Sequence, residues 1–565
     1  MKLVTAAEMK EVEQRAAEAG VNIPDLMRHA GTSVFEAIRA LPRFQTDATV
    51  GSQPDLEEAS IVVLAGSGNN GGDALFTALM LRQTFPIADI NIYFYKRPRP
   101  DEKGNFPAKL TYTEAEQQDG QDLSDPTTLD VLTEDLIYAD LVVDGLLGAG
   151  LSRPVTGELA AIIAKVNATR AARQYDVYPL VVVAIDVPSG LNSDIGETGA
   201  GGTAIQADLT VTLGLPKIGL YNYAAIPYTG EIKVGDIGLP AQVLQEIDQQ
   251  AQTDQALQIT SADWMRRKLP ARPFNSNKGT FGKLMVVAGS ADYLGAPFLT
   301  TSGGMRSGAG LVTLAAPRSV INILATKMAE NTFLNLPEIE NEGAAQQTVQ
   351  LLAHKLTEGK YQVLVLGPGL GNEPQKLELI KYLLDLSQQP AFQWPKLVID
   401  ADGLNMLAQI PDWWQKLPAD NILTPHPGEL ATLRQTTIKE IEADRLKAAR
   451  AAAHQFRQVV ILKGAYTVIA APDGRTWLNP AGNPSLATAG SGDVLAGLTA
   501  GLLTQTTRQN SADSFETACM GVYLHALAGE LLNREYGDAG TLAGDLLPKI
   551  PLAMRAIKDG DGLEI

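Results

Sequence analysis

The sequence predicts an α/β protein of two domains, each built on a parallel sheet, and three patterns carry that prediction. Short apolar runs alternate with segments of helical spacing in both halves of the chain. Many of those runs end in Gly, Asp, Asn or Ser. Between the halves, residues 242–258 are rich in Gln, Asp and Ala and poor in large aromatics, and read as a helix tail and linker. The domains are therefore set at residues 1–240 and 261–565, with a linker over 241–260.

In the first domain, residues 61–65, 90–95, 141–144, 180–186 and Leu209–Leu213 read as buried strands, and 74–83 and 157–167 as helices. In the second, 284–288, 311–315, Val363–Leu366, 397–400, 421–424 and Val459–Leu462 read as strands, and 444–456 and 493–503 as helices.

Bulk properties narrow the function. The 565 residues are 45% hydrophobic and 19% charged, enough apolar material for large cores. A net charge of −18 repels phosphate backbones and anionic lipid, so neither nucleic acid nor membrane is an expected partner. The single cysteine, Cys519, excludes an internal disulfide and a thiolate zinc cluster, and its apolar helical setting assigns it to the core. The first twenty residues lack the apolar stretch of a signal peptide, and no run is long enough to span a bilayer, so a cytoplasmic protein is expected. A homo-oligomer of undetermined size is also expected.

In the first domain, the strand at 61–65 runs into Gly66-Ser67-Gly68-Asn69-Asn70-Gly71-Gly72-Asp73 and then a helix. Such a turn lets backbone approach an anion at a helix start, but it lacks the spaced G-x-G-x-x-G of dinucleotide dehydrogenases. Two more strands end in Val143-Asp144-Gly145 and Ile185-Asp186-Val187-Pro188-Ser189-Gly190. In a parallel sheet these ends share one edge. Asn70, Asp144 and Ser189 offer hard oxygen ligands suited to a hard cation, and Asp186 is an acid/base candidate.

In the second domain, Ala489-Gly490-Ser491-Gly492-Asp493 precedes an apolar helix. Small residues let amides close around an anion while the aspartate takes a proton, which suits phosphoryl transfer to a hydroxyl. Other strand ends supply Gly367-Pro368-Gly369-Leu370-Gly371, Asp400-Ala401-Asp402-Gly403-Leu404-Asn405, Thr424-Pro425-His426-Pro427-Gly428-Glu429 and Lys463-Gly464-Ala465-Tyr466-Thr467. Upstream, Asn277-Lys278-Gly279 precedes a strand whose following loop spans 289–297. His29, His354, His454 and His525 lie in helical patterns without ligand spacing, which assigns them to packing or solvent.

These motifs carry two resemblances. Over most of residues 1–240, the chain resembles the NAD(P)H-hydrate epimerase family. That implies a Rossmann-like three-layer fold and interconversion of the R and S epimers of NADH hydrate and NADPH hydrate, in which water has added to the nicotinamide ring. It implies that Asn69, Asn70, Gly71, Gly72, Asp73, Gly148, Ala149, Gly150, Leu151, Ser152, Arg153, Pro154 and Asp186 contact the hydrate. Asn70, Asp144 and Ser189 would hold K⁺, and Asp186 would be the acid/base, with Lys96 as an assistant.

Over about residues 260–560, the chain resembles the ADP- or ATP-dependent NAD(P)H-hydrate dehydratase branch of the ribokinase-like superfamily, again a three-layer α/β fold. His426 stands where sugar and vitamin kinases often carry Asn. The resemblance implies that Ala296, Gly371, His426 and Asp493 contact the hydrate, and that Lys463, Gly464, Ala465, Tyr466, Thr467, Gly490, Ser491 and Gly492 bind the adenine nucleotide. Glu429 would orient Mg²⁺ through water. Asp493 would deprotonate the hydrate hydroxyl, which attacks the terminal phosphoryl group, and phosphate would then leave.

A vitamin or sugar kinase with a nucleotide-binding first domain is the alternative reading; His426 argues against it. A non-catalytic nucleotide sensor has no need of Asp186 and Asp493.

Overall fold

The computed structural model describes residues 1–44, 56–95, 120–123, 125–151, 153–253, 256–389, 392–481 and 483–560. The chain divides into two compact units, Lys2–Asp254 and Gln255–Ile565 with Met1.

Seven strands form the sheet of the first unit: β1 Ser60–Ala65, β2 Asp89–Phe94, β3 Gln121–Asp122, β4 Leu141–Gly145, β5 Val181–Ile185, β6 Leu209–Leu213 and β7 Glu231–Gly235. They lie in the order β3-β2-β1-β4-β5-β6-β7, all neighbours parallel. β1 and β4 carry unbroken apolar runs because both faces are covered, whereas β6 alternates apolar residues with the buried Thr210 and Thr212. Val62, Leu64, Val142 and Val182 pack against Leu132, Leu136, Ile162 and Val166 of helices Pro126–Tyr138 and Glu158–Ala172. The alternate residues Ile61, Val63, Val143 and Val183 point the other way and are equally buried. From β1 the chain winds outward through β2 and β3, then crosses back to β4. Connections diverge where this order reverses, opening a crevice at the carboxyl ends of β1 and β4.

β3 and β7 have no counterpart among the expected strands. The first has two residues, and the second is an edge strand with Glu231 and Val234 exposed, so neither presents an apolar run. Residues 241–253, expected as a helix tail and linker, form the helix Ala241–Thr253. Its Val243, Ile247 and Ala251 are buried at i, i+4 and i+8, an apolar stripe within the Gln-rich sequence.

Ten strands form the sheet of the second unit: β8 Gln258–Ile259, β9 Lys283–Val287, β10 Leu311–Pro317, β11 Thr332–Leu336, β12 Val363–Leu366, β13 Lys396–Ile399, β14 Ile422–Leu423, β15 Val459–Leu462, β16 Val468–Ala470 and β17 Thr476–Leu478. Their order is β11-β10-β9-β12-β13-β14-β15-β16-β17-β8. Pairing is parallel from β11 to β15, antiparallel through β16 and β17, and parallel again to β8. The order reverses between β9 and β12, where a second crevice opens.

Helix Ser491–Gln509 is sandwiched in this unit. Leu495, Ala496, Ala500 and Leu503 face the sheet core, while Val494, Leu498 and Leu502 face helices Ser514–Tyr536 and Ala543–Asp559. Helix Gly295–Arg306 lies directly against it. A Cβ on Gly497 would sit 2.0 Å from the Thr300 carbonyl, so only glycine permits this approach. Contacts advance together, from Thr300 with Gly497 to Ser307 with Gly501, so the two helices run in the same direction. Both amino termini therefore reach the same end of the sheet. Cys519 is fully buried in the core. Among the described residues, no helix is long and apolar enough to cross a membrane.

Candidate active sites

Three strand ends of the first unit converge. After β1, the helix Asn69–Thr84 starts at Gly68 with no side chain capping its first N–H groups, a start suited to an anion. Asn70, Gly71, Gly72 and Asp73 are buried in its first turns. Asn70 Nδ2 donates to the Leu147 carbonyl (2.8 Å), and its Oδ1 is buried without a hydrogen-bond partner.

Beside it, the fully buried Asp144 accepts from Ser189 N (2.8 Å), Ser189 Oγ (2.6 Å) and Leu146 N (3.2 Å). Burial raises its pKa to about 6, although the Ser189 bonds pull the other way. Leu147 N donates to Ser189 Oγ (2.8 Å). Asn70, Asp144 and Ser189 are thus gathered around the Leu146–Leu147 backbone, with an orphaned amide oxygen and a carboxylate that has no cationic side chain beside it among the described residues. This donor set fits a hard monovalent cation.

The loop after β4 is held by Ser193 Oγ donating to the Ala149 carbonyl (2.9 Å) and Asn192 Nδ2 donating to that of Leu151 (3.1 Å). Gly148 abuts the Asn70 side chain, Gly150 and Arg153 are exposed, and Pro154 packs on Gly199. Ser152 and Lys96 lie outside the described residues.

At the end of β5, Asp186 takes a positive φ of 64°, a conformation that non-glycine residues hold only when their surroundings enforce it. Its Oδ1 accepts from Leu213 N (3.1 Å) and pairs with Lys217 Nζ. That ammonium also donates to the Leu213 carbonyl (2.7 Å), and Lys217 is 1% exposed. Lys217 was not singled out from the sequence. The available signal was a lone lysine in the apolar stretch Leu215-Pro216-Lys217-Ile218-Gly219. Glu13, whose pKa burial raises, and Asp73 add two further carboxyls to this corner.

In the second unit, Gly490 opens helix Ser491–Gln509 in the left-handed conformation (φ 92°), and a Cβ there would meet Leu299 at 2.5 Å. No side chain caps this start either, so its amides are available to an anion. Asp493 lies in the first turn. Burial, then the neighbouring Asp400 charge, raises its pKa to about 7. From the end of β15, Lys463 Nζ reaches Asp400 Oδ1 (2.8 Å) at the end of β13 and Glu429 Oε2 (3.6 Å). Burial alone would lower the Lys463 pKa, but the Asp400 and Glu429 carboxylates more than offset it and hold it above its usual range.

His426 caps helix Pro427–Arg434: its Nδ1 accepts from Gly428 N (3.0 Å) and Glu429 N (3.2 Å), while Glu429 Oε2 accepts from His426 N (2.8 Å). With Nδ1 committed as acceptor, the ring hydrogen lies on Nε2. Gly371 N donates to Asp402 Oδ2 (2.7 Å), and Ala296 stands against Gly369. Ala401 (φ 51°) and Tyr466 (φ 52°) also hold positive φ at this edge. Buried Arg445 donates to the carbonyls of Leu462 (3.2 Å) and Lys463 (3.0 Å), beneath the stretch Lys463, Gly464, Ala465, Tyr466 and Thr467.

Two further positions bear on the second unit. Asn277-Lys278-Gly279 sits at the amino end of β9, where the Gly279 carbonyl accepts from Arg508 Nε (3.3 Å) at the far end of the Asp493 helix. His525 belongs to the support of the site: its Nε2 lies 3.0 Å from the Ser491 carbonyl, and burial lowers its pKa to about 4.

The family described as YjeF-related protein N-terminus matches residues 24–219, and the family described as NAD(P)H-hydrate dehydratase matches residues 284–552. The bifunctional NAD(P)H-hydrate repair enzyme Nnr of Moorella thermoacetica is 38% identical over 99% of this chain and 98% of its own. The chain belongs to this family.

Other members are similarly matched: that of Gloeobacter violaceus is 36% identical over 97% of both chains. A crystal structure of the Bacillus subtilis ADP/ATP-dependent NAD(P)H-hydrate dehydratase, co-crystallised with ATP and Mg²⁺, shares 30% identity. It covers 53% of this chain and 98% of its own, with a TM-score of 0.45. Both resemblances drawn from the motifs hold, and the kinase alternative does not.

Proposed function

We propose that this repair enzyme epimerises hydrated NADH and NADPH in its first unit and dehydrates the S epimer in its second, at the expense of ADP or ATP. The observation that carries the reading is the Asp493 carboxyl at an uncapped helix start, facing Lys463, Asp400 and Glu429.

Asp493 takes the proton from the hydrate hydroxyl as that oxygen attacks the terminal phosphoryl group. Amides of Gly490, Ser491 and Gly492 face the charge that develops on the phosphoryl oxygens, and Lys463 adds its ammonium. The parallel helices Ser491–Gln509 and Gly295–Arg306 both direct their positive ends there. The phosphorylated oxygen then leaves as phosphate, with the ring nitrogen supplying electrons, and loss of a ring proton restores the dihydropyridine. Ala296, Gly371 and His426 line the hydrate side.

Among the described residues, no three His, Cys, Asp or Glu side chains are grouped to hold a metal. Mg²⁺ would therefore arrive with the nucleotide phosphates, Glu429 orienting it through water and the ion neutralising phosphate charge. In the first unit, Asn70, Asp144 and Ser189 would hold K⁺, whose charge balances the buried Asp144. A reducing, cytoplasmic setting suits a chain whose one cysteine is buried.

The test is incubation with mixed R and S NADH hydrate, Mg²⁺ and ATP or ADP, following reduced-nicotinamide absorbance. Full recovery is expected. Recovery of the S portion alone, after correction for spontaneous epimerisation, would remove the epimerase reading, and no recovery would remove both.

A further inference from the structure

Asp73, in the first turns of helix Asn69–Thr84, and Asp186, at the end of β5, lie at the first crevice, and their surroundings differ. Asp186 is held by Lys217 Nζ and Leu213 N on one carboxylate oxygen. Asp73 is 7% exposed, and no side-chain or backbone donor meets its carboxyl among the described residues. Its charged neighbours are Asp186 and Glu13, of its own sign, and Lys217, which is already engaged. A carboxyl so placed, buried and without a donor, keeps its proton. Burial first, then Asp186 and Glu13, raise the Asp73 pKa well above its ordinary value.

We propose that Asp73 is the proton-donating partner of Asp186 in epimerisation, and that Lys217 is a positioning residue that holds Asp186 as the paired base. Two nearby carboxyls in opposite protonation states form an acid/base pair. The inference rests on the epimerase reading above.

The hydrate bears its hydroxyl on the carbon bonded to the ring nitrogen. Asp73 gives its proton to that oxygen as the C–O bond breaks. The bonding pair leaves with the oxygen as water, and the nitrogen lone pair forms a C=N bond. Water then adds to the opposite face: its oxygen pair forms the new C–O bond, its proton passes to Asp186, and the C=N pair returns to nitrogen. Transfer of that proton from Asp186 to Asp73 resets the pair. No redox partner is needed.

The test uses the full-length enzyme with pure R hydrate, following formation of S hydrate by NMR. Asp73→Asn should lower kcat at least 100-fold with KM changed less than threefold, and the residual rate should lose the wild-type fall at high pH, where Asp73 would ionise. Lys217→Met should lower kcat at least tenfold, and Lys217→Arg should recover most of it. Wild-type product made in ¹⁸O-water should carry the label. Thermal unfolding identifies any variant that fails to fold, in which case Asp73→Ser and Lys217→Arg decide.

A folded Asp73→Asn variant, or a folded Asp73→Ser variant where Asp73→Asn does not fold, with wild-type kcat and alkaline limb would overturn the acid assignment. Equal rates in Lys217→Met and wild type, or no recovery in Lys217→Arg, would overturn the positioning role. Unlabelled product would overturn the C–O step. Failure of the wild type to epimerise would instead remove the underlying function.

Discussion

Lys463 Nζ lies 2.8 Å from Asp400 Oδ1, joining the carboxyl ends of β15 and β13 beneath the Asp493 carboxyl. This ammonium is the nearby charge that opposes protonation of Asp493, while Asp400, Asp402 and Glu429 favour it. Lys463→Gln should therefore move the acid limb of dehydration to higher pH and weaken nucleotide binding. It also leaves Asp400 unpaired. Loss of one partner of a buried pair costs about 3–5 kcal/mol, and roughly 2–3 here because the Lys463 side chain keeps 19% exposure. A rate–pH profile at saturating nucleotide, with a denaturant melt, checks both effects.

Asp493 acts as a base only when ionised. With its pKa raised to about 7, dehydration should rise with pH through neutrality and fall away below it. Asp493→Asn should abolish dehydration and leave epimerisation intact, as separate assays will show.

The same shift bears on stability. The folded state binds this proton more tightly than the unfolded chain, so the associated stability is full below the unfolded pKa. It declines as pH rises and is lost above about 7. At pH 8, Asp493→Asn should melt higher than the wild type, by an amount on the order of 1–2 kcal/mol after discounting partial exposure. At pH 4 the difference should vanish.

His525 runs in the opposite direction. Its lowered value, about 4, means that its contribution is present above the unfolded value near 6.5 and is lost as pH falls toward 4. As donor to the Ser491 carbonyl, it steadies the peptide that opens the anion site. His525→Gln should preserve dehydration better than His525→Ala, and both should flatten the acid destabilisation of the second unit between those values. Thermal melts across that range decide it.

Gly497→Ala would drive a methyl to within 2.0 Å of the Thr300 carbonyl. The helix pair must separate, which moves Ala296 and Asp493 apart. A loss of roughly 2–3 kcal/mol in the second unit is expected, with dehydration lowered more than tenfold. Melting and activity assays on the one variant test both.

The central strands were legible because burial on both faces makes β1, β4, β12 and β15 continuous apolar runs. Edge strands β7 and β11 were not, since half-exposed residues break that pattern. Asp493 and Asn70 were legible because glycines beside them in sequence announce the turn. Lys217, Arg445 and His525 were not, because their partners lie in other elements: 31 residues away for Asp186 with Lys217, and 34 for His525 with Ser491. A polar side chain in an apolar helix or loop reads as packing until the fold supplies its partner.

The chain carries two independent sites on this reading, and complementation of single-site variants tests that most directly. Given mixed R and S hydrate with ATP and Mg²⁺, Asp186→Asn should restore only the S portion, and Asp493→Asn should restore none. An equimolar mixture of the two variants should restore the whole. Full restoration by either variant alone, or no gain on mixing, would contradict the claim.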